Sequence, residues 1–259
     1  MGIINVNKNS FHEGSRANSI ESALQLAEKH IIGGASFLDL GASTSKPGAS
    51  ISHPKEEWDR LVPVLKSIRL KFPHVFLSID TYHSEVARLA VSEGADLIND
   101  ISAGTIDSQM FNTVASLKVP YVMMHMQGTP ADMQKSPHYQ DVTQEVISEM
   151  TSKVKQLFQL GASDVIIDPG FGFGKTLEHN YTLLNNLQEF VQLRLPVLVG
   201  VSRKSMVTRL LNIDAASALN ATTALHMLAL QNGANILRVH DSKEAFEAIE
   251  VFDMYKSCG

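Results

Sequence analysis

The chain has 259 residues, of which 44% are hydrophobic and 19% charged, a globular composition that can bury a full core. Its formal net charge of −5 argues against a nucleic-acid-binding surface over the whole protein, although a local cationic pocket for a small anion stays possible. The single cysteine, Cys258, excludes an internal disulfide framework. The sequence has neither the pattern of a signal peptide nor an apolar stretch of transmembrane length, so we expect a soluble cytoplasmic protein without membrane contact.

Eight short apolar runs follow one another along the chain, and each ends in a polar or ionisable residue. They are residues 1–5, 36–39, 75–80, 96–100, 120–125, 164–168, 196–204 and 235–240. Near-continuous apolar runs of this length are typical of parallel strands that are buried on both faces.

Segments with helical periodicity separate these runs. The best example is Thr143–Leu160, which ends at Gly161. Its apolar stripe is Val146, Met150, Val154, Leu157 and Phe158. Trp58, Leu61, Val62, Leu65 and Ile68 form the stripe of the second helix, and Val86, Leu89 and Ala90 that of the third. The pair Gly-Ala precedes four of the strands, at 34–35, 94–95, 161–162 and 233–234.

This alternation predicts an α/β fold, a single-domain (β/α)₈ TIM barrel over residues 1–259. An open doubly wound sheet is the alternative, but eight βα units of even length favour closure. Barrel enzymes build their active sites at the C-terminal ends of the strands. The polar stretches 7–18, 42–55 and 127–139 follow strands and belong to that face.

A glycine-rich segment, Asp168–Lys175, follows the sixth strand. Gly170 and Gly174 are too close for a phosphate-binding Walker loop, and the dinucleotide-binding pattern fails as well. We expect a loop whose backbone approaches a ligand, with Phe171 or Phe173 stacking on a flat ring. A tight structural turn is the alternative.

Asp80, Asn99 and Asp168 are short hydrogen-bond acceptors at the ends of strands three, four and six. Together they would suit a flat heterocycle rich in N–H donors. The alternative for each one alone is helix N-capping.

Two basic clusters, Ser202–Ser205 and Arg238–His240, follow strands seven and eight. This is the usual phosphate-binding corner of the barrel, so we expect the clusters to neutralise a phosphate or diphosphate. Surface charge is the alternative, and Lys204 could instead form a Schiff base. For Met123 and His125 we favour core packing. No Cys/His cluster indicates a structural metal site.

Eight motifs resemble those of the dihydropteroate synthases, in the order of that family and over nearly the whole chain. They are MGIIN (1–5), DLGASTSKPGA (39–49), SIDTY (78–82), GADLINDISAG (94–104), MHMQGTPADMQ (124–134), DPGFGFGKTLEHNY (168–181), LVGVSRKS (198–205) and ILRVHD (236–241). The family condenses 6-hydroxymethyl-7,8-dihydropterin diphosphate with 4-aminobenzoate, releasing pyrophosphate. It is a sulfonamide target in folate biosynthesis.

The resemblance implies a role for each matching residue. The pterin would be bound by Asp80, Asn99, Met124, Asp168, Phe173 and Lys204. The diphosphate would be bound by Asn5, Arg238 and His240, and the 4-aminobenzoate by Ser45, Lys46, Pro47 and Ser205. Lys204, Arg238, His240 and Asn5 would be the catalytic residues. Asn5 would act through Mg²⁺, and the resemblance also implies a homodimer.

The sequence departs from the family pattern in two loops, which by the resemblance close over the aminobenzoate. We also expect the chain to begin at the first barrel strand, without the extra N-terminal segment that the family usually carries. Asn7-Lys8-Asn9 replaces Thr-Pro-Asp, which removes a carboxylate. Lys46 replaces an arginine and loses its bidentate fork. We therefore expect an active synthase with altered turnover of aminobenzoate. The alternatives are a catalytically impaired pterin-binding paralogue and a pterin-binding methyltransferase domain.

Overall fold

The computed structural model describes residues 1–6, 20–43 and 48–258, in which strands and helices alternate. The strands are β1 (Gly2–Asn5), β2 (Phe37–Gly41), β3 (Phe76–Asp80), β4 (Leu97–Asp100), β5 (Tyr121–Met124), β6 (Val165–Asp168), β7 (Leu198–Val199) and β8 (Ile236–Leu237). The α-helices are α1 (Ile20–Ile32), α2 (Pro54–Lys71), α3 (Ser84–Ser92), α4 (Met110–Leu117), α5 (Val142–Gln159), α6 (Leu177–Asn185), α7 (Ser205–Leu211), α8 (Leu219–Gln231) and α9 (Ser242–Ser257). Short 3₁₀ helices lie at Leu187–Leu193 and Ala216–Ala218.

The strands form a closed parallel barrel, as the sequence predicts. Strands β1 to β6 pair in sequence order, and β7 pairs with β8. Two parallel bridges join these groups, Gly2 with Val239 and Ile167 with Val197. The bridge between β1 and the end of β8 is held by hydrogen bonds of 2.9 Å from the Ile3 amide to the Val239 carbonyl and from the Val239 amide to the Met1 carbonyl. The open-sheet alternative is therefore wrong.

Helix α5 shows how closely periodicity predicts an element. Asp141 caps its N-terminus by accepting hydrogen bonds from two backbone amides of the first turn. Gly161, in a left-handed conformation with φ of 92°, follows its C-terminal residues. Four of the five predicted stripe residues are buried, whereas Phe158 is 47% exposed. The stripe is therefore narrower than predicted.

Strands β7 and β8 are shorter than the apolar runs that predict them. The run 196–204 contributes only two strand residues, because the chain turns after Gly200 and Arg203 adopts a left-handed φ of 55°. This turn takes Lys204 out of the sheet and places it at the start of α7.

The barrel interior is apolar at its N-terminal end and polar towards its C-terminal end. Leu97, Val122, Ile166 and Leu198 form the apolar layer, packed against Met1, Phe37 and Ile236. Nearer the strand ends the side chains are carboxylates, an amide and cations, so the polar groups face one end of the barrel. Among the described residues, no helix has both the length and the apolar character to cross a membrane.

Candidate active site

The three predicted acceptors lie at the C-terminal end of the barrel, and none of them caps a helix. Asp80 is in register with Asn99 on the neighbouring strand, and Asp168 with Met124. His83, Gln109 and Thr176 occupy the N-cap positions of α3, α4 and α6. The capping alternative is therefore wrong for these acceptors, and their side chains are available to the barrel interior.

Arg238 links two of these acceptors, Asp80 directly and Asn99 through Asp39. Its Nε donates to Asp39 Oδ2 at 2.6 Å, and its Nη2 donates to Asp80 Oδ2 at 2.7 Å. Asn99 Nδ2 donates to the same Asp39 oxygen at 3.1 Å, and Ser78 Oγ donates to the other Asp39 oxygen at 2.5 Å. Asp80 and Asn99, which are predicted to bind the heterocycle, and Arg238, which is predicted to bind the diphosphate, therefore belong to one hydrogen-bonded group.

Burial controls the protonation of these carboxylates. It raises the pKa of Asp80 to about 7, against the opposing effect of the Arg238 guanidinium. Burial also raises the pKa of Asp168, opposed by Lys204 and by the Gly170 amide that donates to its carboxylate at 2.7 Å. With a pKa of about 7, the Asp80 carboxyl group can exchange a proton with a bound heterocycle near neutral pH.

Lys204 lies against the glycine-rich loop. Its Nζ donates to the Phe171 carbonyl at 2.6 Å and is 4.6 Å from the centre of the Phe173 ring. Burial lowers its pKa to about 8, opposed by Asp168. Ser205, the next residue, begins α7 and is exposed.

The backbone amides of the glycine-rich loop donate to groups of the protein itself, so the loop is not a phosphate-binding loop. The amides of Gly170 and Gly172 donate to Asp168 and Asn180 side chains, and the Phe173 amide donates to the Gly170 carbonyl. Because these amides are occupied, they cannot form a phosphate nest. Phe171 is fully buried in the core, whereas Phe173 is only partly buried. Phe173 is therefore the ring that can stack on a ligand.

An apolar wall stands beside the polar group. It consists of Tyr82, Ile101, Met124, Met126 and Met133, with Ile106 and Phe173 packed against it. Methionine thioethers and an aromatic face offer a polarisable surface to a flat ring. Met123 packs in the main core, as predicted, and His125 is buried and hydrogen-bonded.

The residues of the two basic clusters differ in their contacts and in their exposure. Arg203 is a structural residue, since its guanidinium forms a bidentate pair with Asp241 at 2.8 and 2.9 Å and donates to two backbone carbonyls. We expected it to help neutralise a phosphate, and that expectation is wrong. His240 remains partly exposed, with Nδ1 at 3.1 Å from Ser202 Oγ. Asn5, at the end of β1, lies beside Gly41 in the neighbouring strand.

Several predicted residues lie outside the described part of the chain. They are Ser45, Lys46 and Pro47 of the aminobenzoate group and Asn7, Lys8 and Asn9 of the first loop. Sequence reasoning gave no individual role to three buried residues near the site, Asp39, Lys175 and Glu57, although Asp39 ends a predicted strand and Lys175 ends the glycine-rich segment. Strand alternation could have found Asp39, because it shares the inward face of β2 with Phe37 and Gly41.

Comparison with known proteins identifies the family of this barrel. The family model described as pterin binding enzyme matches residues 1–240. The dihydropteroate synthase of Escherichia coli K12 is 40% identical over 255 residues, covering 98% of this chain and 90% of the relative.

Two solved structures share the fold. The Yersinia pestis dihydropteroate synthase in a sulfonamide drug complex has a TM-score of 0.95 at 38% identity, covering 99% of this chain and 93% of that one. The Coxiella burnetii dihydropteroate synthase in complex with pteroic acid has a TM-score of 0.91 at 39% identity, with coverage of 100% and 93%. From the family match, the shared fold and the near-complete coverage, we conclude that this chain belongs to the dihydropteroate synthase family of pterin-binding enzymes.

Proposed function

We propose that the polar end of this barrel carries out the dihydropteroate synthase reaction with the pterin on one side of Arg238 and the diphosphate on the other. The chain has the activity of its family, the condensation of 6-hydroxymethyl-7,8-dihydropterin diphosphate with 4-aminobenzoate in folate biosynthesis. The observation that supports the assignment of residues is the buried group in which Arg238 contacts Asp80 directly and Asn99 through Asp39.

Asp80, Asn99 and Asp168 would bind the pterin ring through its N–H groups. Buried carboxylates and an amide make charge-assisted hydrogen bonds that a flat amino-heterocycle can satisfy at its edge. Met124 and Phe173 belong to the apolar wall and would contact the faces of the ring. Lys204 Nζ lies over the Phe173 ring and is stabilised in its charged form by Asp168, and it would donate a hydrogen bond to a ring acceptor.

Arg238, His240 and Asn5 would bind the diphosphate. The Arg238 guanidinium uses Nε and Nη2 for carboxylates and keeps further N–H groups for an anion. His240 is partly exposed beyond the end of β8, where a leaving group could reach it.

Mg²⁺ fits this corner through a single protein oxygen. The described residues contain no group of three or more acidic, histidine or cysteine side chains that could hold a metal by themselves. Mg²⁺ is commonly bound by one or two protein oxygens together with substrate phosphates, and the Asn5 carboxamide would supply such an oxygen. When bound, it would neutralise charge on the departing pyrophosphate.

The chemistry requires positioning more than proton transfer. The amine nitrogen of 4-aminobenzoate attacks the pterin methylene with its lone pair, the carbon–oxygen bond to the diphosphate breaks, and the nitrogen then loses a proton to solvent. The aryl amine is neutral at pH 7, so no strong general base is required. Arg238 and His240 would stabilise the negative charge that develops on the leaving oxygen.

The aminobenzoate would be held by Ser205 together with Ser45, Lys46 and Pro47. Ser205 is exposed at the N-terminus of α7, next to Lys204. The other three lie outside the described residues, so their role is carried by family resemblance alone.

We also propose that the protein is a cytoplasmic homodimer. The exposed side chains of Leu210, Leu211 and Leu228 on α7 and α8 support an interface on this side of the barrel. Light scattering coupled to size exclusion tests the dimer, and a monomeric mass at micromolar concentration would refute it.

A coupled assay with purified protein, Mg²⁺ and both substrates tests the proposed function. Asp168→Asn should lower kcat/KM by about 100-fold, which corresponds to about 2.7 kcal/mol of transition-state stabilisation. Asp164→Asn, the same change at an exposed residue before β6, should stay within about twofold of wild type. Equal effects of the two changes would contradict the assignment.

The same preparation separates the enzyme from a pterin-binding paralogue. A paralogue would bind a pterin in calorimetry and give no dihydropteroate. That result would refute the catalytic part of the proposal.

A further inference from the structure

The glycine-rich loop rests on a buried lysine that the proposed reaction does not use. Lys175 is 2% exposed, and its Nζ lies 3.0 Å from the Gly170 carbonyl and 3.0 Å from the Phe173 carbonyl. The same nitrogen is 2.9 Å from His125 Nδ1 and 3.4 Å from the His125 carbonyl. A buried ammonium is costly, and here every neighbour within hydrogen-bond distance is an acceptor.

These contacts determine the state of His125. While Lys175 is protonated, its ammonium has only donors, so Nδ1 of His125 accepts and Nε2 of the neutral ring carries the proton. Nε2 lies 3.3 Å from Glu149 Oε2, and Lys153 binds the other oxygen of Glu149 at 2.7 Å. Burial together with Lys175 lowers the pKa of His125 to about 4, which keeps the ring neutral. The chain of contacts runs from the glycine-rich loop to the surface of α5.

Two of the carbonyls that Lys175 binds, those of Gly170 and Phe173, are at the ends of the turn that carries Phe173. The middle of this turn is held separately, because the Gly172 carbonyl accepts from Gln134 Nε2 at 2.6 Å and its amide donates to Asn180. Lys175 thus closes the turn from the buried side, while Lys204 contacts the Phe171 carbonyl and the Phe173 ring. The backbone of the turn that carries Phe173 is therefore hydrogen-bonded at both of its ends.

We propose that Lys175 is a positioning residue, whose ammonium holds the Gly170–Phe173 turn so that Phe173 and Asp168 meet the pterin in the correct geometry. This inference rests on the proposed pterin site. It assigns Lys175 to binding of the pterin and not to the chemical step or to the aminobenzoate. Loss of the ammonium should therefore affect the two substrates unequally.

Lys175→Met tests this with Lys153→Met as the matched control. Both changes remove one lysine charge from the same chain of contacts, but Lys153 touches only Glu149 among the charged groups described for it. The probe is pteroic acid, measured by calorimetry. Lys175→Met should lower the affinity for pteroic acid by about tenfold, or about 1.4 kcal/mol, and the affinity of the control should stay within about twofold of wild type.

Steady-state kinetics give a second measurement on the same variants. Lys175→Met should raise KM for the pterin diphosphate, while kcat and KM for 4-aminobenzoate at saturating pterin change by less than about threefold. Unchanged pteroic acid affinity in folded Lys175→Met, or an equal rise of both KM values, would overturn the inference. Failure of the wild type to form dihydropteroate would count against the proposed function instead.

Wild-type protein provides a test that does not depend on folding of the variant. Burial lowers the pKa of Lys175 to about 7, and the charged or titratable groups that face it are Asp168, Lys204, Glu149, His125 and His179. The ¹³Cε resonance of Lys175 reports its own titration. Affinity for pteroic acid should fall as the pH rises through the range in which this resonance shifts, because Lys175 loses its charge there. If the resonance titrates while the affinity stays constant, the inference is wrong.

Discussion

Arg238→Met should destabilise the protein in a way that depends on pH. The change removes contacts of 2.6 Å to Asp39 and 2.7 Å to Asp80, and it leaves both carboxylates without their guanidinium. Arg238 retains only 18% side-chain exposure and Asp39 none, so solvent cannot replace the lost partner. Breaking one side of a buried ion pair costs about 3–5 kcal/mol, and we expect a loss in this range at pH 8.

The sign of the pH dependence follows from Asp80. Its pKa in the folded protein is raised to about 7, whereas that of an unfolded aspartate is about 3.9. The folded state therefore binds the extra proton, and stability falls as pH rises between these two values. Arg238 opposes the rise, so its removal moves the folded pKa higher. The stability difference between wild type and variant should then widen above pH 7.

Urea denaturation from pH 5.5 to 8.5 measures this difference. Lys71→Met is the control, because its pair with Glu28 at 3.1 Å is close to half exposed and should contribute less than about 1 kcal/mol. A loss for Arg238→Met no larger than that of the control, or a difference that stays constant through pH 7 to 8.5, would refute the reasoning.

Three further predictions concern single side chains. Phe173→Leu should lower the affinity for pteroic acid by about tenfold in calorimetry, because the aromatic face is lost. Phe111 packs against Tyr121 of β5, on the side away from the apolar wall, so Phe111→Leu should leave the affinity unchanged. His226→Leu should stabilise the protein by about 1 kcal/mol at pH 8, because neither ring nitrogen has a hydrogen-bond partner among the described residues. Burial lowers the pKa of His226 to about 4, so at pH 5 the histidine is protonated in the unfolded protein and neutral in the folded one. The gain in the free energy of unfolding, measured by urea denaturation, should therefore be larger at pH 5 than at pH 8. A smaller gain at pH 5 would contradict this. Asn9→Asp and Lys46→Arg should each raise kcat/KM for 4-aminobenzoate severalfold in the coupled assay. If neither substitution changes kcat/KM, these two positions do not limit the turnover of 4-aminobenzoate.

The barrel could be predicted from sequence because its signals are local. Each strand is an apolar run that ends in a polar residue, and each helix has an apolar stripe with a stop signal. The Gly-Ala pairs add a left-handed glycine before the strand, as seen at Gly34, Gly94 and Gly233 with φ between 85° and 100°. Closure was predicted only from the even spacing of the units, and it depends in the structure on two bridges.

The interior contacts of the site could not be predicted in the same way. Arg238 and Asp39 are 199 positions apart, and nothing in their local sequence indicates that they pair. Arg203 illustrates the opposite error, since a basic residue beside Lys204 belongs to a structural pair with Asp241. Residue type and strand position identify candidates, but the rotation of the chain after a strand decides which of them enter the barrel.

The identity of residue 238 follows from this packing. It contacts carboxylates on β2 and β3 through separate nitrogens, and in the proposed site it would also present N–H groups to an anion. A guanidinium can do this because its donors are fixed in a planar fork, whereas a lysine ammonium acts as a single point charge. Held between two acidic side chains, the guanidinium is oriented before substrate arrives, so little reorganisation is required when charge develops on the leaving group. In the proposed site, Asp80 would therefore bind the heterocycle and, together with Asp39, orient the guanidinium that would receive the diphosphate.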